Sequence, residues 1–128
     1  MSGLTLDAGG LIALDRGKRE ILLLLARARE HGERITVPAT VLAQVLRSPA
    51  RQARVIRLCR HPATDLVALD GPEASAVGLL LAASRTADIV DAHVIVCARR
   101  ARQAVLTSDP DDIARMAPDV IAVKVSAL

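Results

Sequence analysis

Apolar positions along the 128-residue chain fall into short runs rich in Leu, Ile and Val that alternate with longer amphipathic ones. Leu4-Thr5-Leu6-Asp7 reads as a strand ended by an acid, and Ala8-Gly9-Gly10 as the turn that leads into the apolar segment Leu11 to Leu14. Lys18 to His31 reads as a helix stopped by Gly32, with His31 beside its negative end. Ile35-Thr36-Val37 is a second strand, and Pro38 opens a helix through Arg47. Ser48-Pro49 interrupts it, and Ala50 to Arg60 resumes as a basic helix. Thr64 to Leu69 is a third strand; Asp70-Gly71-Pro72 then opens a helix through Ser84 that is apolar almost all round and therefore expected to be buried. A helix from Asp88 to about Gln103, a strand from Ala104 to Ser108, a helix opened by Asp109-Pro110 and a strand from Val120 to Val125 complete the chain.

Strand and helix alternate throughout, without an internal repeat or a low-complexity linker. The pattern predicts one α/β domain of three layers, α/β/α, around a central, mainly parallel sheet of four to five strands with right-handed crossovers. In such sheets ligands bind outside the carboxyl ends of the strands. Asp7 and Asp109 each follow a strand, and Asp88 and Asp91 open a helix that the chain enters from the same edge.

Those four acids change the picture most. Asp88 and Asp91, three apart, are neighbours in one helical turn, and two carboxylates that close repel one another. Helix capping explains each acid singly: Asp88 and Asp109 as N-caps, and Asp91 beside the positive end of its helix. A shared divalent cation explains Asp7, Asp88, Asp91 and Asp109 together. An oxygen-only set suits a hard ion, Mg²⁺ or Mn²⁺, and such ions accept phosphate oxygens, which points to metal-assisted phosphodiester hydrolysis.

Composition narrows the partners. There is no Phe, Tyr or Trp, so a nucleic acid would be held through charge, hydrogen bonds and metal rather than stacking. The net charge of +3 conceals a basic surface around an acidic hole, and five arginines without an acid lie between positions 47 and 60. Arg47, Arg51, Arg54 and Arg57 are either a solvated face or a contact for RNA or a partner protein. No stretch approaches the roughly 18 apolar residues of a membrane span, and Met1 to Asp7 lack a secretion signal, so a cytoplasmic protein is expected. Cys59 and Cys97 lie far apart without a second ligand at zinc-finger spacing and read as small core residues. His31, His61 and His93 sit in Arg-flanked or apolar helical contexts and carry little weight.

Four segments in order, Leu6 to Leu14, Val37 to Val45, Val90 to Val94 and Val105 to Asp112, resemble the PIN-domain ribonucleases, and more narrowly the VapC-type toxins of toxin–antitoxin pairs. The resemblance covers nearly all of the chain. It implies a Mg²⁺-dependent endoribonuclease held inactive by a cognate antitoxin and often homodimeric, with Asp7, Asp91 and Asp109 as the metal-holding, catalytic acids. Asp88 and Asp112 match accessory acids, with Thr107 or Ser108 as the hydroxyl at the strand end. Gln44 stands where the family usually has Glu; a neutral amide still offers an oxygen but cannot act as a base. A PIN-like domain that binds RNA or antitoxin without cleaving is the alternative. A phosphoacceptor or phosphatase domain fits less well, since Ala8-Gly9 follows Asp7 where a second acid would be needed.

Overall fold

The computed structural model describes residues 3–127. In chain order it contains β1 (Gly3–Leu6), α1 (Ala8–Asp15), α2 (Arg19–Glu30), β2 (Arg34–Pro38), α3 (Ala39–Val45), α4 (Ala53–Arg60), β3 (Thr64–Val67), α5 (Gly71–Ser84), α6 (Ile89–Ala101), β4 (Ala104–Thr107), α7 (Pro110–Met116) and β5 (Ala122–Lys124). The five strands form one wholly parallel sheet in the order β3-β2-β1-β4-β5. From β1 the chain steps outward to β2 and β3, then returns across both to β4 and β5, so its direction reverses between β1 and β4. Right-handed crossovers place the helices of the two directions on opposite faces, α2 on one side of β1 and β2 and α6 on the other.

The inner strands are apolar because both faces are covered: Leu6, Ile35, Val37, Val105 and Leu106 have no exposure. Thr5, on the central strand, is equally buried and needs a partner, since an orphaned hydroxyl there costs about 1–3 kcal/mol. Its Oγ1 donates to Gln103 Oε1 at 2.8 Å, and Gln103 Nε2 donates to the Arg34 carbonyl at 3.3 Å. One polar chain thus ties the end of α6 to β1 and β2.

Several expectations are corrected by packing. Ala8-Gly9-Gly10 is the first turn of α1 rather than a connecting turn, because Asp7 Oδ1 accepts the Gly10 amide at 2.9 Å and caps the helix. The glycines let α1 abut β4: a Cβ on Gly9 would lie 2.2 Å from Ser108 Oγ, and one on Gly10 2.5 Å from the Leu106 carbonyl oxygen. The second basic helix starts only at Ala53, since Gln52 ties the preceding turn. Its Oε1 accepts the Arg47 and Ser48 amides at 2.7 and 2.9 Å, while Nε2 donates to the Val45 carbonyl at 3.0 Å. The helix expected to be buried is an outer one: α5 buries only Glu73 and Val77, against α6, and Leu79 is 75% exposed. Among the described residues no helix is long and apolar enough to cross a membrane.

The approach of α1 to β4 predicts an inverted helix-propensity effect. Gly→Ala inside a helix ordinarily gains up to about 1 kcal/mol. At Gly10 the added methyl meets a backbone carbonyl that cannot rotate away, and overpacking of that kind costs about 1–3 kcal/mol. Gly10→Ala is therefore expected to lower the urea unfolding midpoint; a higher midpoint would show that the contact relaxes freely.

Candidate metal centre

Asp7 directly follows β1, and Asp109 follows β4 after Ser108, so both stand at the carboxyl edge where the strand order reverses. The chain enters α6 at the same edge. Asp7, Asp88 and Asp109 are the N-caps of α1, α6 and α7, accepting from the amides of Gly10, Asp91 and Asp112 at 2.9, 2.9 and 3.3 Å. The capping explanation is thus correct for Asp88 and Asp109, the structure adds Asp7 as a third cap, and capping does not compete with a cluster. Each cap occupies one carboxylate oxygen and brings a helix amino terminus, with its partial positive charge, to the same place.

The electrostatics show which acids meet. Burial raises the pKa of Asp7 above the usual carboxylate value, opposed by hydrogen bonds from Thr107 and the Gly10 and Gly9 amides and reinforced by the Asp109 charge. Asp91 is pushed up to about 6, first by burial and then by the charges of Asp88, Asp7 and Asp112. Asp7, Asp88, Asp91, Asp109 and Asp112 are therefore one electrostatic group. Thr107 belongs to it through its bond to Asp7 and through its Oγ1, which accepts the Asp109 amide at 3.0 Å. Asp91 and Asp112 line an open cleft of about 320 Å³ with Ser84, Thr86, Arg115 and Met116. Arg115 pairs with Asp112 one turn earlier on α7.

Carboxylates crowded until one resists ionising form a donor set suited to a hard divalent ion, whose charge would relieve the repulsion. Asp7, Asp91 and Asp109, with Asp88, are the residues that would hold it.

Among the described residues, the side chains of the other expected residues make no hydrogen bond or ion pair with this group. Ser108 is exposed and packs against Gly9. Gln44 is exposed on α3 and makes no hydrogen bond among the described residues. Arg47 folds back onto the end of α3, donating to the Ala43 and Leu46 carbonyls at 3.0 and 2.7 Å. Arg54 and Arg57 face a different groove, between α2 and α4, with Leu22, Leu25, Arg29, Leu58 and His61. Arg51 is exposed in the turn before α4.

Sequence reasoning missed two features. Arg115 is the cation lining the cleft, and its spacing of three from Asp112 on a helix was the available signal. His93 and Cys97, taken for inert residues of α6, lie beside Glu73 of α5 in a buried polar group. Their i, i+4 spacing was legible; the arrival of Glu73 from another helix was not.

The chain matches the PIN domain family over residues 5–118. No curated protein sequence matches it. Its fold is similar to that of a toxin–antitoxin complex from Klebsiella pneumoniae, at 19% identity and TM-score 0.68, covering 97% of this chain and 100% of that one. It is similar to VapBC2 from Rickettsia felis bound to a promoter DNA fragment, at 12% identity and TM-score 0.68, covering 96% and 98%. It is also similar to FitAcB from Neisseria gonorrhoeae, at 13% identity and TM-score 0.64, covering 94% and 96%. At such identities the likeness establishes the fold alone, whereas the family match spans most of the sequence together with the strand-end and helix-start aspartates: the chain belongs to the PIN domain family.

Proposed function

We propose that this protein is a Mg²⁺- or Mn²⁺-dependent endoribonuclease and the VapC-type toxin of a toxin–antitoxin pair. The observation that carries the reading is the group of aspartates at the reversal between β1 and β4, with Asp91 pushed up to about 6 by burial and then by its neighbours. Similarity to chains from toxin–antitoxin complexes supports the biological assignment.

A divalent ion held there supplies positive charge for the phosphodiester and lowers the pKa of the attacking water. The chain's own residues prepare that chemistry. Thr107 and the Gly10 amide hold the Asp7 carboxylate in one orientation, and the caps fix Asp88 and Asp109 on rigid helix ends. Arg115, exposed in the cleft, offers a cation to a phosphate. The absence of aromatic residues leaves phosphates and hydroxyls, rather than stacked bases, as the handles on RNA.

The groove of Arg29, Arg54 and Arg57 over Leu22, Leu25 and Leu58 suits a segment that is both apolar and acidic, so we assign it to the antitoxin rather than to the substrate. A homodimer would draw on exposed apolar side chains such as Leu79 and Ile89. Gln44 favours one competing reading. A neutral, exposed amide where the resemblance leads one to expect Glu is what a domain that binds RNA or antitoxin without cleaving would carry.

Chelation by EDTA is expected to abolish cleavage of a mixed RNA panel, and Mg²⁺ or Mn²⁺ to restore it. Asp7→Asn and Asp91→Asn should each reduce the rate by at least about 10–100-fold, the loss seen even for groups that only support metal ligands, while the fold survives. Cleavage that persists in EDTA would overturn the metal centre, and binding without cleavage in any divalent ion would favour the second reading.

Stability should follow pH with a definite sign. The pKa of Asp91 rises from 3.8 to about 6 on folding, so the native state favours the protonated form, and this contribution is full below pH 4 and lost as pH rises through 6. Asp65 and Asp119, lowered by Arg34 and Arg99, act oppositely at acid pH, which makes the difference between wild type and Asp91→Asn the clean measure. In metal-free buffer the variant should gain melting temperature relative to wild type between pH 4 and 7, and Mg²⁺ should cancel that gain. A constant difference across the range would mean that Asp91 does not titrate in the cluster.

The arginine groove is tested separately. Arg54→Gln with Arg57→Gln should weaken capture by the product of the adjacent open reading frame, measured by calorimetry, and leave RNA cleavage within about twofold, since Arg54 and Arg57 line none of the acidic cleft. Loss of RNA affinity with a flatter salt dependence would reassign the groove to the substrate.

A further inference from the structure

Beneath α5 and away from the aspartates lies a second cluster of possible ligands. Glu73 of α5 and His93 and Cys97 of α6 are 4, 0 and 3% exposed, and one ligand atom from each lies within 4.8 Å of the others. Glu73 Oε1 is 3.2 Å from His93 Nε2 and 3.6 Å from Cys97 Sγ, while Oε2 is held by Arg100 Nη1 at 2.5 Å. The ring is oriented from its other side, where Thr40 Oγ1 of α3 lies 2.7 Å from Nδ1. His93 Nε2 itself is fully buried and makes no hydrogen bond: it is close to the carboxylate but not aligned with it. Its close polar neighbour is the Glu73 carboxylate, so the nitrogen keeps its hydrogen-bonding capacity open to a ligand placed between the two.

We propose that Glu73, His93 and Cys97 form a binding site for a borderline-soft divalent cation, Zn²⁺ by its chemistry, separate from the aspartate centre. The donor set selects the ion, since thiolate and imidazole favour zinc over magnesium. Geometry agrees. Zinc bonds of about 2.3 Å to sulfur and 2.0–2.2 Å to nitrogen and oxygen require tetrahedral edges of about 3.4 Å for nitrogen to oxygen and about 3.6 Å for sulfur to oxygen. The structure has 3.2 and 3.6 Å. The third edge joins His93 and Cys97, four apart on one helix, whose ligand atoms lie within 4.8 Å of each other. Oxygen Oε1 faces the other two ligands while Arg100 takes Oε2, so the carboxylate serves both cations.

The site is reachable. Cys97 and Arg100 line a surface cleft of about 210 Å³ with Thr36, Asp65, Val67 and Ala101, and the Arg100 side chain is 58% exposed. Binding of the metal to the Cys97 thiolate would release the thiol proton to solvent. Bound, the ion would clip α5 to α6, the helix whose first turn carries Asp91.

Cobalt(II), added to protein without a histidine tag, tests the site directly. One equivalent should give thiolate-to-cobalt charge-transfer absorption that Zn²⁺ displaces. The absorption should survive in Cys59→Ala and Asp91→Asn and disappear in Cys97→Ala. Zn²⁺ should raise the melting temperature of wild type and not of Cys97→Ala. Because that variant could fold poorly, the near-isosteric Cys97→Ser serves alongside it and should also lose the charge-transfer band. Wild type with no thiolate band at one equivalent, or a band that persists without Cys97, overturns the proposal. Asp91→Asn separates the two centres: it removes cleavage if the nuclease reading holds and leaves the cobalt band untouched.

Discussion

Three helices of this protein begin at one place, and their unpaired amino-terminal amides set the terms for everything near them. Each helix leaves its first four N–H groups without intrahelical partners, and aspartates at the caps of α1, α6 and α7 satisfy part of that demand. The helix dipoles add about half a positive charge at each end, which lets carboxylates gather more densely than the surrounding protein would otherwise tolerate. The compensation is incomplete, since Asp91 still resists ionising until about 6. Capping thus gathers the carboxylates, and burial together with their remaining repulsion leaves Asp91 hard to ionise.

Convergence of this kind depends on chain direction. Because β1 and β4 are neighbours and the chain leaves them toward opposite sides, the segments that follow part and open a crevice between them. Closeness at the crevice comes from the absence of side chains on Gly9 and Gly10, which brings the first turn of α1 against Ser108 and the Leu106 carbonyl. A bulkier start to α1 would move the Asp7 cap relative to Asp109.

Helix α6 contributes to both polar groups. Its first turn presents Asp91, a hard oxygen donor, to the open cleft, and His93 and Cys97 turn inward toward Glu73. The thread from Arg100 through Glu73 and His93 to Thr40 joins α6, α5 and α3. Such a polar thread under an outer helix specifies how α5 sits, where apolar contacts alone would permit sliding.

Alternation of strand and helix, the number of strands and the positions of the caps were legible in the sequence, because they depend on interactions within a few residues. Apolar runs decide strands, Asp before a helical run decides caps, and a spacing of three places Asp88 beside Asp91. Gly9 and Gly10 misled, since a glycine pair signals a turn locally and only the neighbouring strand reveals that close packing is its purpose. Gln52 delayed the start of α4 to Ala53 through bonds to Val45, Arg47 and Ser48, a choice no propensity expresses. The outward position of α5, the aim of Arg54 and Arg57 away from the acidic cleft, and the meeting of Glu73 with His93 and Cys97 were left to the tertiary structure. Sequence periodicity states which side of a helix is apolar, but which residues from separate helices come within bonding distance is decided by crossover handedness and interhelical packing.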